Sequence, residues 1–376
     1  MKKIYWRPQG MPISAFVLIA LFSIAGLYLV EHFQFASHKP GFHRERLKAS
    51  NLAIEAMDII KQEKQRRGLP VDLETDPARS GLIGPVMSDV TSDIGDLEAK
   101  QTSINPNFAA VFIELLKKSG VKPWEPVAVS LTGSFPALNI ALYSAMAVLH
   151  LRPIIISSAA SSQYGANDPD LLWIDMEQVL YNKGIFPFRS SAASLGGKSD
   201  RALNMSERGR AMLVQAIRRN GLNAITGQNM AENIEERMNL YFTQSSPRAY
   251  INIGGGVVSV GTRSERTLLK PGSVSEIPDS RLDPVINHFL RDKIPVIHIG
   301  NLKQLARDYD LPVAPLTIPR VGEGGIYSEK HYNRWIVGGV LAGILLGLYI
   351  FGRVDWGFRM LKSSSHPSPG PPEPMV

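Results

Sequence analysis

Three side chains in this sequence could together support nucleophilic catalysis. Ser134 follows an apolar segment, Asp175 lies at the border of the apolar face of a predicted helix, and His298 lies near the end of the buried segment PVIHIGN. Ser134 and His298, together with one of the aspartates, could act as nucleophile, base and orienting acid. A half-buried Asp175 could also act alone as an acid or base. The structural alternatives are a solvated edge position for Asp175 and a hydrogen-bonded core position for His298.

The turn that contains Ser134 could instead bind an anion. Thr132, Gly133 and Ser134 fall where a predicted strand ends, and Pro136 begins the predicted helix. Glycine lets the backbone approach a ligand closely, hydroxyl groups can hydrogen-bond to it, and a helix N-terminus favours negative charge. A carboxylate or a phosphate would suit this turn. The alternative is structural, with Gly133 making the turn and Ser134 capping the helix.

Two later segments carry the same residue types after predicted strands. The segment 157–170 is rich in small and hydroxyl residues, although Asp168 also fits the N-cap of a helix that begins at Pro169. Three consecutive glycines at 254–256 could form a backbone nest for an anion, or a β-bulge or tight turn. The candidate ligand-binding residues are Thr132, Gly133, Ser134, Asn139, Asn167, Asp168, Gly254, Gly255, Gly256 and Asn301.

Short apolar segments alternate with helical patterns through the centre of the chain. This alternation predicts the α/β class, with a mostly parallel, Rossmann-like sheet and helices on both faces. In such sheets, ligands bind beyond the carboxyl ends of the strands, which is where the candidate residues fall. The sequence has neither a P-loop nor a His-Glu-x-x-His motif, so we predict no metal site, and it specifies no cofactor.

Two uncharged apolar segments are long enough to cross a membrane as helices. The alternatives are a cleaved signal peptide for the first and a buried core helix for the second. The predicted organisation is a basic tail (1–11), a transmembrane helix (12–30), an α/β domain (31–334) that opens with a helical entry segment (31–70), a second transmembrane helix (335–351) and a flexible Pro/Ser-rich tail (352–376).

Two spans predict a cell-membrane protein with both termini on one side and the central domain on the other. The positive charges flanking the two spans are nearly balanced, so they indicate the orientation of the chain only weakly. Of the two orientations, we expect the one with cytoplasmic tails and an extracytoplasmic domain. In the second span, Gly339, Gly343 and Gly347 recur at four-residue spacing. This spacing lets helix backbones approach closely and could pair two copies of the chain.

Charge and cysteine content exclude several functional classes. The net charge is +7, and the sequence contains no cysteine. The absence of cysteine excludes disulfides, thiolate catalysis and a cysteine-based zinc site. The basic excess lies largely in the two tails, where it suits anionic lipid headgroups, whereas the central region mixes both signs. We therefore expect no binding to nucleic acid.

Several longer motifs lie within the central domain. They are SGLIG (80–84), LEAKQTSINPNFAA (97–110), GSFPALNIA (133–141), YGANDPD (164–170), WIDME (173–177), SLGG (194–197), NIGGG (252–256) and IPVIHIGN (294–301). Together they resemble the poly-gamma-glutamate system protein family, bacterial membrane proteins associated with poly-gamma-glutamate synthesis.

The resemblance implies a membrane-bound partner of an ATP-dependent ligase that joins glutamates through their side-chain carboxylates. Because the sequence lacks a P-loop, we do not expect it to be the ligase. We expect an accessory component of polymer biosynthesis, assembly or export that binds polymer carboxylates, with the polymer and other membrane subunits as its partners. The alternative is a membrane-tethered hydrolase or transferase that trims, releases or attaches the polymer through Ser134 or Asp175.

Overall fold

The computed structural model divides the chain into two units, one formed by residues 1–37 with 329–376 and the other by residues 38–328. The described residues are 13–38, 42–243, 245–266, 269–276 and 282–353. The predicted basic tail (1–11) lies outside them, as does almost all of the predicted flexible tail (352–376).

The helices and strands of the described residues are numbered in chain order. The helices are α1 (Ile13–His32), α2 (His43–Arg66), α3 (Leu97–Ser103), α4 (Phe108–Lys118), α5 (Pro136–Val148), α6 (Trp173–Asn182), α7 (Glu207–Arg219), α8 (Met230–Phe242), α9 (Val257–Val260), α10 (Arg263–Arg266), α11 (Val285–Arg291), α12 (Leu302–Asp308) and α13 (Arg334–Arg353). The strands are β1 (Gln34–His38), β2 (Pro126–Thr132), β3 (Arg152–Ser158), β4 (Asn167–Asp168), β5 (Leu171–Leu172), β6 (Ala192–Ser194), β7 (Asn223–Ala224), β8 (Tyr250–Ile253), β9 (Gly272–Val274), β10 (Val296–Ile299) and β11 (Ser328–Tyr332).

A seven-stranded sheet with the order β7-β6-β3-β2-β8-β10-β9 forms the centre of the 38–328 unit. Its strands pair in parallel, except that β9 runs antiparallel to β10. This confirms the predicted α/β class and the mostly parallel sheet. From β2 the chain adds β3, β6 and β7 on one side, and then returns to add β8 and β10 on the other. The reversal between β2 and β8 is a topological switch point, where α/β sheets open a crevice.

Helices cover both faces of this sheet, as predicted. Val127, Val129 and Leu131 of β2 belong to one buried cluster, together with side chains of α2, α4, α5 and α6. Ala128 of β2 and Tyr250 of β8 belong to a second cluster, with side chains of α8, α9 and α11. Because successive strand residues point to opposite faces, the two clusters lie on opposite sides of the sheet.

Of the predicted helical entry segment (31–70), residues 43–66 form α2, whereas residues 34–38 form strand β1. The buried face of α2 carries Ala49, Ala53, Ala56 and Ile60, and the helix packs against α5. The small alanine side chains let the two helix backbones approach closely. Near its start, the guanidinium of Arg46 forms a buried ion pair with Glu114 of α4 at 2.8 Å and also donates to the Ile326 carbonyl. This helix is therefore an integral layer of the α/β core.

Helices α1 and α13 are long and apolar enough to cross a membrane, which agrees with the two predicted spans. They pack against each other through glycines of the same chain. An added Cβ at Gly26 would lie 2.5 Å from Val340 Cγ1, and one at Gly343 would lie 2.7 Å from Phe22 Cζ. Gly347 also faces α1, whereas nothing lies within 4 Å of a Cβ at Gly339. Two of the three glycines expected to pair two copies therefore contact α1 within one chain.

The packing of α1 on α13 predicts an intramolecular disulfide in the double variant Gly26→Cys, Val340→Cys. A Cβ at residue 26 would lie 3.4 Å from the Cβ of residue 340, close to the separation found in disulfides. Because the chain has no cysteine of its own, no other thiol competes. After oxidation and proteolysis of the central domain, the two terminal fragments should stay linked until they are reduced.

The matched control places the second cysteine at Gly338, which has nothing within 4 Å of an added Cβ. Gly26→Cys, Gly338→Cys should not link the two fragments. Equal linkage in both variants, or linkage only between separate chains, would contradict the packing of α1 on α13.

Candidate functional site

The carboxyl ends of β2 and β8 lie side by side at the switch point. Leu131 pairs with Ile253, so the next residues along the two strands, Thr132 and Gly254, are neighbours at the rim of the sheet. Gly254 has φ +100°, and a Cβ there would clash with Thr132 Oγ1. This position therefore requires glycine both for its backbone conformation and for the close approach of the two strand ends.

The three glycines at 254–256 form the connection from β8 to the short helix α9. The Gly254 carbonyl accepts from Asn252 Nδ2 at 2.8 Å, and the Gly256 carbonyl accepts from the Ser259 amide at 3.0 Å. Gly255 and Gly256 are half-buried. Ser259 Oγ also lies 2.7 Å from Ser130 Oγ, which joins α9 to β2. The glycine turn is thus fixed to both strands of the switch point and keeps part of its backbone accessible.

The turn after β2 is held by the segment that follows β3. The Gly133 carbonyl accepts from the Ala166 amide at 2.8 Å, and Ser134 Oγ accepts from the Ser162 amide at 3.1 Å. The fully buried Asn139 donates from Nδ2 to the Thr132 carbonyl at 2.9 Å and so ties α5 to the end of β2.

Helix α5 begins at Pro136 as predicted, but the residue before it, Phe135, occupies the N-cap position. No side chain accepts a cap hydrogen bond there. Ser134 instead contacts the neighbouring segment through its hydroxyl. The structural alternative in which Ser134 caps the helix is therefore wrong, and Gly133 and Ser134 form a turn at the rim.

Asn167 and Asp168 lie in a small hairpin, and the predicted N-cap role of Asp168 is wrong. Strands β4 and β5 pair antiparallel around the turn, and α6 begins only at Trp173. Asp168 Oδ1 accepts from the Asp170 amide at 3.0 Å, because an aspartate before Pro-Asp can close a turn through its own side chain. The buried Asn167 donates to Pro85 O and Thr91 Oγ1, both at 2.9 Å, and so fixes the hairpin to the segment before α3.

Asp175 lies at the N-terminus of α6, where its carboxylate accepts hydrogen bonds from three residues. It accepts from the Leu172 amide at 2.9 Å, from Arg219 Nε at 2.8 Å and from Asn220 Nδ2 at 2.7 Å. Only 5% of Asp175 is exposed, and its ion pair with Arg219 joins α6 to α7. These contacts give Asp175 a structural role in capping α6 and pairing two helices.

His298 and Asn301 lie at the end of β10 and at the start of α12. His298 is buried opposite Asn252 of β8, with its Nδ1 3.0 Å from Asn252 Nδ2. Asn301 is exposed and caps α12 by accepting from the Gln304 amide at 3.1 Å. The structure thus gives the three residues of the predicted triad separate partners and does not join them in one hydrogen-bond chain.

Lys100 of α3 is a residue at this rim that the sequence reasoning missed. It is 2% exposed, and its Nζ donates to the Ser134 carbonyl and to Ser162 Oγ, the latter at 2.8 Å. The ammonium also lies over the ring of Phe135, 4.1 Å from its centroid. Burial lowers the pKa of Lys100 to about 7, although the negative charge of Asp96 acts to raise it. A lysine with this pKa can hold or release a proton near neutral pH.

The SLGG motif after β6 carries a separate buried ion pair. Arg237 of α8 donates to Asp200 Oδ2 at 2.7 Å and to Ser194 Oγ at 2.8 Å, and Ser194 Oγ donates to Asp200 Oδ1 at 2.7 Å. The arginine is 2% exposed and the aspartate 5% exposed. The cluster fixes the 194–200 segment to α8. Because the guanidinium of Arg237 is paired with Asp200, we assign it a structural role.

Another buried carboxyl group, Glu177 of α6, is also accounted for by its neighbours. It accepts from the Tyr143 hydroxyl and from the Ser190 amide, the latter at 2.7 Å. Burial raises the pKa of Glu177 to about 7, so the carboxyl group can be protonated near neutral pH. Its 2% exposure leaves no access for a ligand, and we assign it to the packing of α6.

The close approach at Gly254 predicts that Gly254→Ala is strongly destabilising. Alanine in this left-handed backbone conformation should lower the free energy of unfolding by about 1–2 kcal/mol. Overpacking against Thr132 should lower it by about another 1–3 kcal/mol. Gly120→Ala is the matched control, because Gly120 also has a positive φ but nothing lies within 4 Å of an added Cβ. Thermal unfolding of the full chain should show the larger loss for Gly254→Ala. Equal losses would mean that the strand ends are farther apart than described.

In comparisons with known proteins, no family model matches the chain, and no curated protein or solved structure matches it. The resemblance to the poly-gamma-glutamate system protein family therefore depends on the sequence motifs alone.

Proposed function

We propose that this protein is a membrane-anchored accessory component of poly-gamma-glutamate biosynthesis, assembly or export. In this proposal, its α/β domain binds carboxylates of the polymer at the switch-point rim, which we define as residues 132–134 and 254–256. One observation carries the binding part: two turns rich in glycine and hydroxyl groups end neighbouring strands at the point where the strand order reverses. The choice of polymer comes from the family resemblance.

The chemistry of the rim suits single carboxylates. Poly-gamma-glutamate carries one free carboxylate per residue, and backbone amides with hydroxyl groups can bind such a group without a lysine or arginine at every contact. Gly255 and Gly256 leave backbone accessible, and the half-buried Ser134 adds a hydroxyl group, whereas Thr132 is buried. A rim of this kind would bind each carboxylate modestly, and many residues of one polymer could occupy it in turn. This fits a protein that handles a growing or moving chain.

The membrane helices suit the same role. We propose that α1 and α13 anchor the chain in the cell membrane beside other membrane subunits of the synthesis complex, with the α/β domain extracytoplasmic. Gly339 of α13, which has open space around it, is the remaining glycine of the repeat through which two copies could pair. We further propose that the domain uses its switch point as Rossmann-like proteins do, as a ligand crevice beyond the strand ends.

A second candidate function is a membrane-tethered hydrolase or transferase acting on the polymer. It is favoured by Lys100, whose amine contacts the turn at Ser134 and whose pKa burial lowers to about 7. An amine with this pKa can serve as a general base near neutral pH.

Binding of γ-linked oligoglutamate to the purified full chain tests the first proposal. Gly256→Leu should fill the rim without straining the backbone, because Gly256 has φ −58° and an added Cβ would make only ordinary contacts, the nearest at 3.6 Å to Ser259 Oγ. We expect the Kd measured by calorimetry to rise at least about tenfold, which corresponds to about 1.4 kcal/mol. Gly338→Leu, with nothing within 4 Å of an added Cβ, is the matched control and should bind as the wild type does.

Three results would contradict the proposal. The rim is not the binding site if Gly256→Leu binds as tightly as the wild type, or if the wild type binds no γ-linked oligomer. The role in polymer production is wrong if deleting the gene leaves the amount and chain length of surface polymer unchanged. An α-linked oligoglutamate of the same length shows whether the rim recognises the linkage or only the carboxylates.

A further inference from the structure

We propose that Ser162 and Lys100 form a nucleophile and general-base pair that cleaves a carboxylic amide or ester. This activity deepens the second candidate function, the hydrolase or transferase, and does not depend on polymer binding. The pair is distinct from the serine and aspartate singled out by the sequence, since Ser134 contacts Lys100 through its backbone carbonyl and Asp175 is paired with Arg219.

The geometry of the pair is that of a hydroxyl in contact with a shielded amine. Lys100 Nζ lies 2.8 Å from Ser162 Oγ, within the range in which a base can take a hydroxyl proton. Ser162 is half-buried, whereas Lys100 is 2% exposed. In this proposal, a substrate meets the hydroxyl while the amine behind it stays out of water.

Both members of the pair are held in place by other contacts. The Ser134 carbonyl and the ring of Phe135 fix the amine of Lys100. The Ser162 amide donates to Ser134 Oγ at 3.1 Å, and the Ser162 carbonyl accepts from the Gly165 amide at 3.2 Å. A nucleophile and base positioned before substrate binds lose little freedom in the reaction.

A lysine can act as a base only when it is neutral, and the surroundings of Lys100 favour that form. Burial lowers its pKa to about 7, and Asp96 at the start of α3 is the charge that opposes the shift. Asp96 is itself paired with Lys303 of α12 at 2.8 Å, which offsets its negative charge. The fraction of neutral Lys100 therefore rises as the pH rises through about 7.

The proposed reaction balances with water as the only co-reactant. Ser162 Oγ attacks the carbonyl carbon while its proton passes to Lys100 Nζ, and the C–N or C–O bond of the substrate breaks as Nζ returns that proton to the leaving amine or alcohol. Water then attacks the serine ester, giving one proton to Nζ, which passes it to the departing Ser162 Oγ. The products are a carboxylic acid and an amine or alcohol. The γ-amide of the proposed polymer belongs to this substrate class.

A fluorophosphonate probe tests the pair without assuming a natural substrate. The serine oxygen displaces fluoride from phosphorus and its proton passes to the amine, so only an activated hydroxyl is labelled rapidly. We expect the full chain in detergent micelles to be labelled, with the adduct mapped to Ser162 by mass spectrometry. The labelling rate should increase as the pH is raised from about 6 to about 8, because the base must be neutral.

Variants separate the roles of the two residues. Ser162→Ala should abolish labelling, and Lys100→Met should slow it by about a hundredfold or more, as expected for a lost general base. Lys64→Met is the matched control and should label at the wild-type rate, because Lys64 is another buried lysine with a lowered pKa, whose Nζ donates to the Ile83 carbonyl at 3.0 Å. Thermal unfolding of each variant shows whether it is folded.

Several results would overturn the inference. They are an unlabelled wild type, an adduct on a residue other than Ser162, a rate that does not change with pH, or a folded Lys100→Met variant that labels as fast as the wild type. If Lys100→Met does not fold, the inference is still tested by the site of the adduct and by the pH dependence of labelling in the wild type. Binding of γ-linked oligoglutamate to Ser162→Ala is measured separately, so a failure here leaves the proposed binding function intact.

Discussion

The close approach of β2 and β8 at their carboxyl ends is the constraint on which the rest of the proposed site depends. Where the strand order reverses, Thr132 comes so near to residue 254 that only glycine fits, with φ +100°. The connections leave from neighbouring strand ends, one into α5 and the other into α9. Because the sheet is parallel on both sides of this point, the turns of both strands reach the same rim and can contact one ligand.

Local signals in the sequence were sufficient for the fold class and for the start of α5. Alternating apolar strands and helical segments predicted the α/β sheet, and Pro136 correctly marked the first residue of α5. These features depend on residues within one or two turns of each other. The two apolar helices could be predicted in the same way, because a run of uncharged residues long enough to cross a membrane is a local property of the sequence.

Features that depend on distant contacts could not be predicted in the same way. Asp168 followed by proline fits a helix start as well as a hairpin turn, and the pairing of β4 with β5 decides between them. In the motif LEAKQTS, Lys100 resembles a surface lysine. It is buried because Ser134 and Ser162, which are distant in the sequence, contact it in the folded chain. Asp175 likewise gains its structural role from Arg219 of α7. Sequence patterns indicate which residues form an element but not which elements meet.

The central claim is that the rim between β2 and β8 binds carboxylates of a γ-linked glutamate polymer. Hydrogen–deuterium exchange of the full chain, with and without γ-linked oligoglutamate, tests it most directly because backbone amides are the proposed ligands. The account predicts slower exchange on binding in peptides that cover residues 132–138 and 254–260, with residues 207–219 unchanged. Protection confined to other segments, or exchange that the oligomer does not alter, would contradict it.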